Sequence, residues 1–340
     1  MPIILDPIGP LPAPGATTFP TLGQYRHRLA ETAGFYTTYQ TSASSARADQ
    51  VVIADLVSAG ALESSFLGNT WMYQSSGPNA GQARRVSYNG LDPATGIVQL
   101  DRAFGAMTPI ATSLEVYGRL PPVSTEGRLG LNAIVNRVLD ECWTLKPVDL
   151  VASNDSQKYF DLSGYIWLNA EDRIVDVYSR SATAVSQPEA DDQLMATWRW
   201  LSHANTPQLE LGRPLNMGDL LRIFAIVPMS WWILRAGDSS WQMPSTPGLQ
   251  NEGDQALIDL NGMELVGKAY IYDELSKWGL PDDQATYRQL ASRARAGANQ
   301  WKRLTLERPN RRTLHWPKSL SVPSRWGYSY GSDWGMVTRG

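Results

Sequence analysis

The 340-residue sequence has a single cysteine, Cys142, and three histidines, His27, His203 and His315. One thiol excludes an intrachain disulfide and any zinc site built from cysteines, and nothing in the chain then requires an oxidising compartment. The histidines stand one to a region with no HExxH-type spacing, so surface or capping roles are expected of them rather than metal binding or a catalytic dyad. His27, between Arg26 and Arg28, reads as part of a solvated face. A long apolar run is also missing. The longest, Ile223 to Leu234, contains Pro228 and Ser230 and is too short to cross a bilayer. The opening MPIILDPIGPLPAPG lacks a basic flank and is broken by prolines, so it reads as an extended arm, neither signal peptide nor membrane span. A basic excess is absent too: 30 Lys and Arg stand against 33 Asp and Glu, a formal charge of -3. A surface devoted to phosphates is therefore excluded, and any contact with nucleic acid is expected to be local.

What is present is material for a packed core. With 43% hydrophobic and 19% charged residues the chain is expected to fold, and its length suggests about two domains. Residues 1–20 read as an N-terminal arm. From 21 to 145 a short helix, capped by Thr21 and carrying Tyr25 and Leu29 on one face, precedes a small antiparallel β module. Within it, GQARRVSYNGLDPATGIVQLDRAF, residues 81–104, predicts a hairpin of Ala83–Tyr88 and Ile97–Asp101, with Asn89-Gly90, Pro93 and Gly96 supplying the loop. Ser124-Thr125-Glu126 is expected to start a helix that buries Leu129, Ile134, Val135, Val138, Leu139 and Cys142. Short strand-like runs separated by turn residues predict a β-sandwich-like domain at 150–245. Residues 250–305 predict a helical hairpin, with Leu257, Leu260, Leu265, Ala269 and Leu275 near one face and Pro281 opening the second helix. Residues 306–340 read as a C-terminal arm. The fold class expected is α+β: an antiparallel β-rich body with a few helices and extended terminal arms.

No stretch carries a catalytic motif. GPNAGQ at 77–82 lacks the Lys-Ser/Thr ending of a phosphate loop and reads as a turn. The carboxylates of AEDR (170–173) and QPEADDQ (187–193) could serve a glycosidase, but both lie in turn-rich stretches where acids favour solubility. Asn154-Asp155-Ser156 fits a glycosylation pattern that means nothing without a secretory signal. Trp167, Trp198, Trp200, Trp231, Trp232 and Trp241 cluster in the β region, where packing explains them more simply than stacking on sugars. The tail differs. Trp316, Trp326, Tyr328, Tyr330 and Trp334 lie outside any foldable pattern among Arg311, Arg312 and other cations, so a partner surface is expected to receive them, most simply an acidic copy of the same chain.

The order TTYQTSASSARADQVVIADL, SFLGNTWMYQSSGPNAGQARRVSYNGLDPATGIVQLDRAF and SLEVYGRLPPVSTEGRLGLNAIVNRVLDECW, over about residues 35 to 145, resembles structural proteins of tailed-bacteriophage virions. The resemblance implies a non-enzymatic virion part in the neck, where portal meets tail, or elsewhere in the tail. Such proteins form rings laced by terminal arms. The expectation is thus a head-to-tail connector without cofactor or membrane association, assembling in host cytoplasm. Its partners would be itself, as a ring of about twelve or six copies, the adjacent portal, neck or tail proteins, and transiently packaged DNA. The hairpin then serves as a brace presenting Arg84, Arg85 and Arg102 to a carboxylate-bearing neighbour. The alternatives are a receptor- or glycan-binding tail or baseplate component, and a hydrolase using the acids between 170 and 193.

Overall fold

A computed structural model describes residues 19–58, 70–165, 167–168, 173–182, 193–195, 197–203, 206–278 and 281–306. The fold is mixed α and antiparallel β, as the sequence leads one to expect. The chain divides into two compact units: Cys142 ends the first part of one, a second is built around Trp143–Pro228, and Met229–Lys302 returns to the first. The insertion is local in the chain because Trp143 and Pro228 are register partners.

The first unit opens with α1 (Leu22–Ala33). Thr21 caps it by a reciprocal exchange: its hydroxyl accepts from the Gln24 amide, and Gln24 Oε1 accepts from the Thr21 amide at 2.9 Å. Tyr25 and Leu29 are buried as the spacing predicts, and Arg26 is buried beside them. Strands β1 (Tyr36–Gln40) and β2 (Gln50–Val52), the short helix α2 (Asp55–Ser58), and strands β3 (Thr70–Gln74), β4 (Ala83–Asp92), β5 (Ile97–Leu100) and β6 (Ser113–Gly118) follow. The six strands pair antiparallel in the order β1-β6-β3-β4-β5-β2. Just beyond β1, Ala43 bridges Val52, and the Ser42 amide donates to Val52 O at 3.0 Å. The two sheet edges therefore meet at this bridge, where the sheet closes on itself. Its interior is filled by Val51, Met72, Val86, Val98, Leu100, Leu114 and Val116 with Phe104.

The 81–104 hairpin is present, with its reversal displaced. Strand β4 runs through Asn89-Gly90 to Asp92, and the register slips between Val86 and Leu91, with Asn89 at φ 56, so this pair forms a bulge. The chain turns instead at 92–96, where Asp92 O accepts from the Gly96 amide at 2.8 Å and the Asp92 carboxylate accepts from Thr95 Oγ1 at 2.6 Å. Gly96 takes φ 70 there. An aspartate that organises its own downstream backbone, followed by a glycine, outcompetes Asn-Gly. Likewise Ser124-Thr125-Glu126 does not start the next helix. Thr125 and Arg128 exchange backbone hydrogen bonds around Glu126 (φ 52) and Gly127 (φ 76), the left-handed pair of a type I′ turn. Helix α3 (Leu131–Glu141) begins after Gly130 and buries Leu131, Ile134, Val135, Val138 and Leu139.

The inserted unit contains β7 (Trp143–Val151), β8 (Gln157–Asp161), β9 (Ile174–Arg180), β10 (Gln193–Leu194), β11 (Trp198–His203), β12 (Thr206–Leu215) and β13 (Leu220–Pro228). They form two antiparallel sheets, β10-β9-β13-β7 and β11-β12-β8. Strand β13 alternates strictly, burying Leu221, Ile223, Ala225 and Val227. Strand β7 was not expected, because Pro147 reads as a breaker. It lies at the end of its sheet order, where a missing N–H is tolerated.

Back in the first unit, β14 (Ile233–Leu234) pairs with β15 (Gln255–Ala256), and α4 (Leu260–Trp278) and α5 (Pro281–Thr305) follow. Helices α1, α3 and α4 pack together. Gly267 gives room to Leu29: a Cβ there would lie 2.6 Å from Leu29 Cδ2. Of the expected face of α4, Ala269 and Leu275 are buried, together with Met263, Val266 and Ile271, while Leu265 is exposed. The stretch 229–302 thus joins the N-terminal module in one unit, across the expected borders at 145–150 and 245–250. Of the expected arms only Phe19, Pro20 and Leu306 lie within the described residues; Phe19 meets Trp241 edge to face at 5.3 Å.

Candidate functional site: an arginine cleft beside a buried ionic network

The closed sheet of the first unit has a polar outer face. Tyr36, Tyr117 and Trp71 are cross-strand partners along β1, β6 and β3, and Glu115 and Tyr73 share the same face. Alternation along β6 suggests that Glu115 and Tyr117 face water. Both are buried instead, because α1 brings Arg26 over them. Arg26 Nε donates to Tyr117 Oη at 2.6 Å, Nη2 to Glu115 at 2.9 Å and Nη1 to Glu252 at 2.5 Å. Tyr117 donates in turn to Glu115, and Tyr73 to Glu252 at 3.0 Å. The guanidinium also sits 4.9 Å from the Tyr73 ring centre.

Burial opposes ionisation of both charged partners, and pairing overrides it. Arg26 is held above its ordinary value: desolvation lowers it, but Tyr117, Glu252 and Glu115 outweigh that. Burial pushes the Glu115 carboxyl up, and the contacts of His27, Arg26 and Tyr117 bring it down to about 2. His27 is therefore no bystander on a solvated face. Its Nε2 lies 3.3 Å from Glu115 and its ring stacks on Tyr36 at 4.1 Å. A fully paired network of this kind holds α1, β3, β6 and the chain at 252 in one arrangement.

The cleft opens beside this face. A cavity of about 180 Å³ is lined by Trp71 of β3, by Ala83, Arg84 and Arg85 of β4, by Asp101, Arg102 and Ala103 after β5, and by Thr125 and Glu126 of the type I′ turn. It brings together Arg84, Arg85 and Arg102, three residues the sequence singles out for an interface. Their situations differ. Arg84 is committed within the chain, donating to Ala103 O at 2.8 Å, Ala83 O at 2.8 Å and Gln82 Oε1 at 2.9 Å, with its guanidinium 5.3 Å from the Phe104 ring centre. It fixes the loop after β5 to the start of β4. Arg85 is the cross-strand partner of Trp71, and its carbonyl accepts from the Asp101 amide at 3.0 Å. The Arg102 side chain is 72% exposed and meets Glu126 at 3.7 Å.

Like charges crowd on both sides. Burial and the neighbouring Glu126 push the Asp101 carboxyl up, against Arg102 and Arg85. Burial, then repulsion from Arg85, lowers Arg128, whose guanidinium lies 6.0 Å from the Trp71 ring centre and 4.8 Å from that of Trp278. Arg128 was missed in the sequence, because the turn that carries it was read as a helix start. The arrangement is suited to holding an anionic group between guanidinium donors.

Arg311, Arg312, Trp316, Trp326, Tyr328, Tyr330 and Trp334 lie outside the described residues, as do most of the acids between 170 and 193. Of the six tryptophans read as packing, Trp167 and Trp198 are buried, while Trp200, Trp231, Trp232 and Trp241 are half-buried. Cys142 is buried, its thiol pushed up to about 12 by burial. Among the described residues no cluster of three or more His, Cys, Asp or Glu is placed to hold a metal ion, and no helix is long and apolar enough to cross a membrane. No protein-family model matches the chain, and no curated protein is significantly similar to it.

Proposed function

We propose that the chain is a structural subunit that works by assembly, a ring-forming component of a tailed-phage neck or tail, in which the arginine cleft receives a carboxylate-bearing neighbour. The observation that carries this reading is the placement of Arg85 and Arg102 on a closed sheet braced by Arg84 and by the Arg26 network, in a chain whose net charge is -3. Cations held on a rigid frame lose little entropy on docking, and acidic copies of the chain supply complementary surface. The sequence resemblance over residues 35–145 to tailed-phage virion proteins supports this reading, in which the body needs geometry rather than turnover. Replacing Arg85 and Arg102 together by Ala tests the reading. The expected result is a monomer with unchanged circular dichroism and thermal transition that no longer enters assemblies. Unchanged assembly of the double variant would overturn it.

A further inference from the structure

Among the described residues, β7 is the longest edge strand in the two sheets of the inserted unit, with 9 residues against 2 in β10, 6 in β11 and 5 in β8. Unpaired backbone groups along such an edge are a template for a strand of another chain. Which groups face outward follows from the ladder. Cys142 O accepts from the Met229 amide at 2.8 Å, and the Ala152 amide donates to Asp219 O at 2.9 Å; both pairs continue the register of β7 with β13. Bonded and non-bonded pairs alternate in an antiparallel ladder, so the even-numbered residues of β7 bond to β13, while Trp143, Leu145, Pro147, Asp149 and Val151 turn their backbone groups to the open side. Pro228, the partner of Trp143, keeps this phase, since it has no N–H to give. Among the described residues no hydrogen bond reaches the backbone groups on that side. Pro147 thus stands at the middle of the open edge and removes its central donor. Lys146, next to it, points to the interior: it is the partner of Ala225, lies on the face that buries Val148, and is 7% exposed. Burial brings its ammonium down to about 8, which leaves it charged at pH 7. A strand added along β7 would bury that charge further.

We propose that Pro147 and Lys146 together guard the β7 edge against pairing with the same edge of a second copy. The rest of the strand suits such pairing. Two β7 strands running antiparallel about position 147 would set Val151 against Trp143 and Val148 against position 146, apolar cross-strand partners once the lysine is gone. The proline withholds a ladder bond at the centre of that pairing, and the lysine makes the remainder costly. The proposal does not rest on the assembly reading above, which uses the arginine cleft; the guard leaves association to surfaces other than this edge.

The test joins two measurements on the full chain. Hydrogen exchange of the wild-type chain at pH 7 should show the amides of Leu145 and Asp149 exchanging about a hundredfold faster than those of Lys146 and Val148. Equal protection of all four would mean a covered edge and overturn the proposal. Light scattering after size-exclusion chromatography then compares masses at equal concentration. Lys146→Val combined with Pro147→Val should raise the mass about twofold over wild type, whatever the copy number of the wild-type chain. Lys146→Arg alone, which keeps the inward charge, should leave the mass unchanged. A double variant with wild-type circular dichroism and wild-type mass would overturn the proposal; if that variant does not fold, the exchange pattern decides. With Arg85 and Arg102 also replaced by Ala, the same pair of substitutions should still give the rise, so the edge and the cleft are read separately.

Discussion

Asp176 offers a measurable consequence of burial. It lies on β9 opposite Phe224 of β13, is 8% exposed, and burial alone pushes its carboxyl up from 3.8 to about 7. The sign follows from proton binding. Between pH 3.8 and about 7 the folded chain holds this proton and the unfolded chain has lost it, so raising the pH through that window lowers stability. Above about 7 the folded state carries a buried charge and the penalty is complete; below 3.8 it is absent. At about 1.4 kcal/mol for each tenfold change in proton affinity, the interval corresponds to a ceiling of about 4 kcal/mol. Relaxation around the charged side chain reduces this to an expected ~2 kcal/mol. Asp176→Asn keeps the shape and removes the ionisation. Urea unfolding of the inserted unit across pH 4 to 9 should give variant and wild-type curves that lie parallel below about pH 4 and diverge as pH rises, the variant gaining about 2 kcal/mol relative to wild type by pH 8. Lys146, lowered to about 8 by burial, acts in another window: its penalty is complete below about 8 and fades toward 10.5. It therefore cannot mimic the acid-side effect. A constant offset between the two curves from pH 4 to 8 would refute the reasoning.

Two further outcomes follow from the first unit. Arg26→Met should destabilise it by about 3–5 kcal/mol, because Glu115 is left buried without its main cation; thermal unfolding at pH 7 checks this, and the deficit should narrow as pH falls toward 2, where Glu115 protonates. Gly96→Ala should cost about 2 kcal/mol or more, since a Cβ at φ 70 would lie 2.4 Å from Ile53 O, and an unchanged denaturation midpoint would contradict the turn described at 92–96.

The strands and helices were legible wherever one period dominated. The Thr21 cap and the Tyr25–Leu29 face could be read directly, as could the strict alternation of β13. Reading failed where tertiary partners decide. Arg26 sits in a run of charges that looks solvated, and only Glu115 and Glu252, remote in sequence, make its burial tolerable. Strand β7 was obscured by Pro147, acceptable only because of where β7 stands in its sheet. Turn positions were ambiguous for a local reason: Asn89-Gly90 and Asp92 to Gly96 both carry turn chemistry, and the winner depends on the approach of Gly96 to Ile53, which the sequence does not display. Of the cleft, Arg84, Arg85 and Arg102 were visible as residues, but not the division between a bracing Arg84 and an exposed Arg102.

The central claim is that this chain acts by joining others. Light scattering coupled to size-exclusion chromatography of the purified chain, over a wide concentration range, tests it most directly. The account predicts a discrete mass that is a multiple of 37.6 kDa and that collapses to one copy when Arg85 and Arg102 are both Ala. A mass of 37.6 kDa at every concentration for the wild-type chain would contradict it.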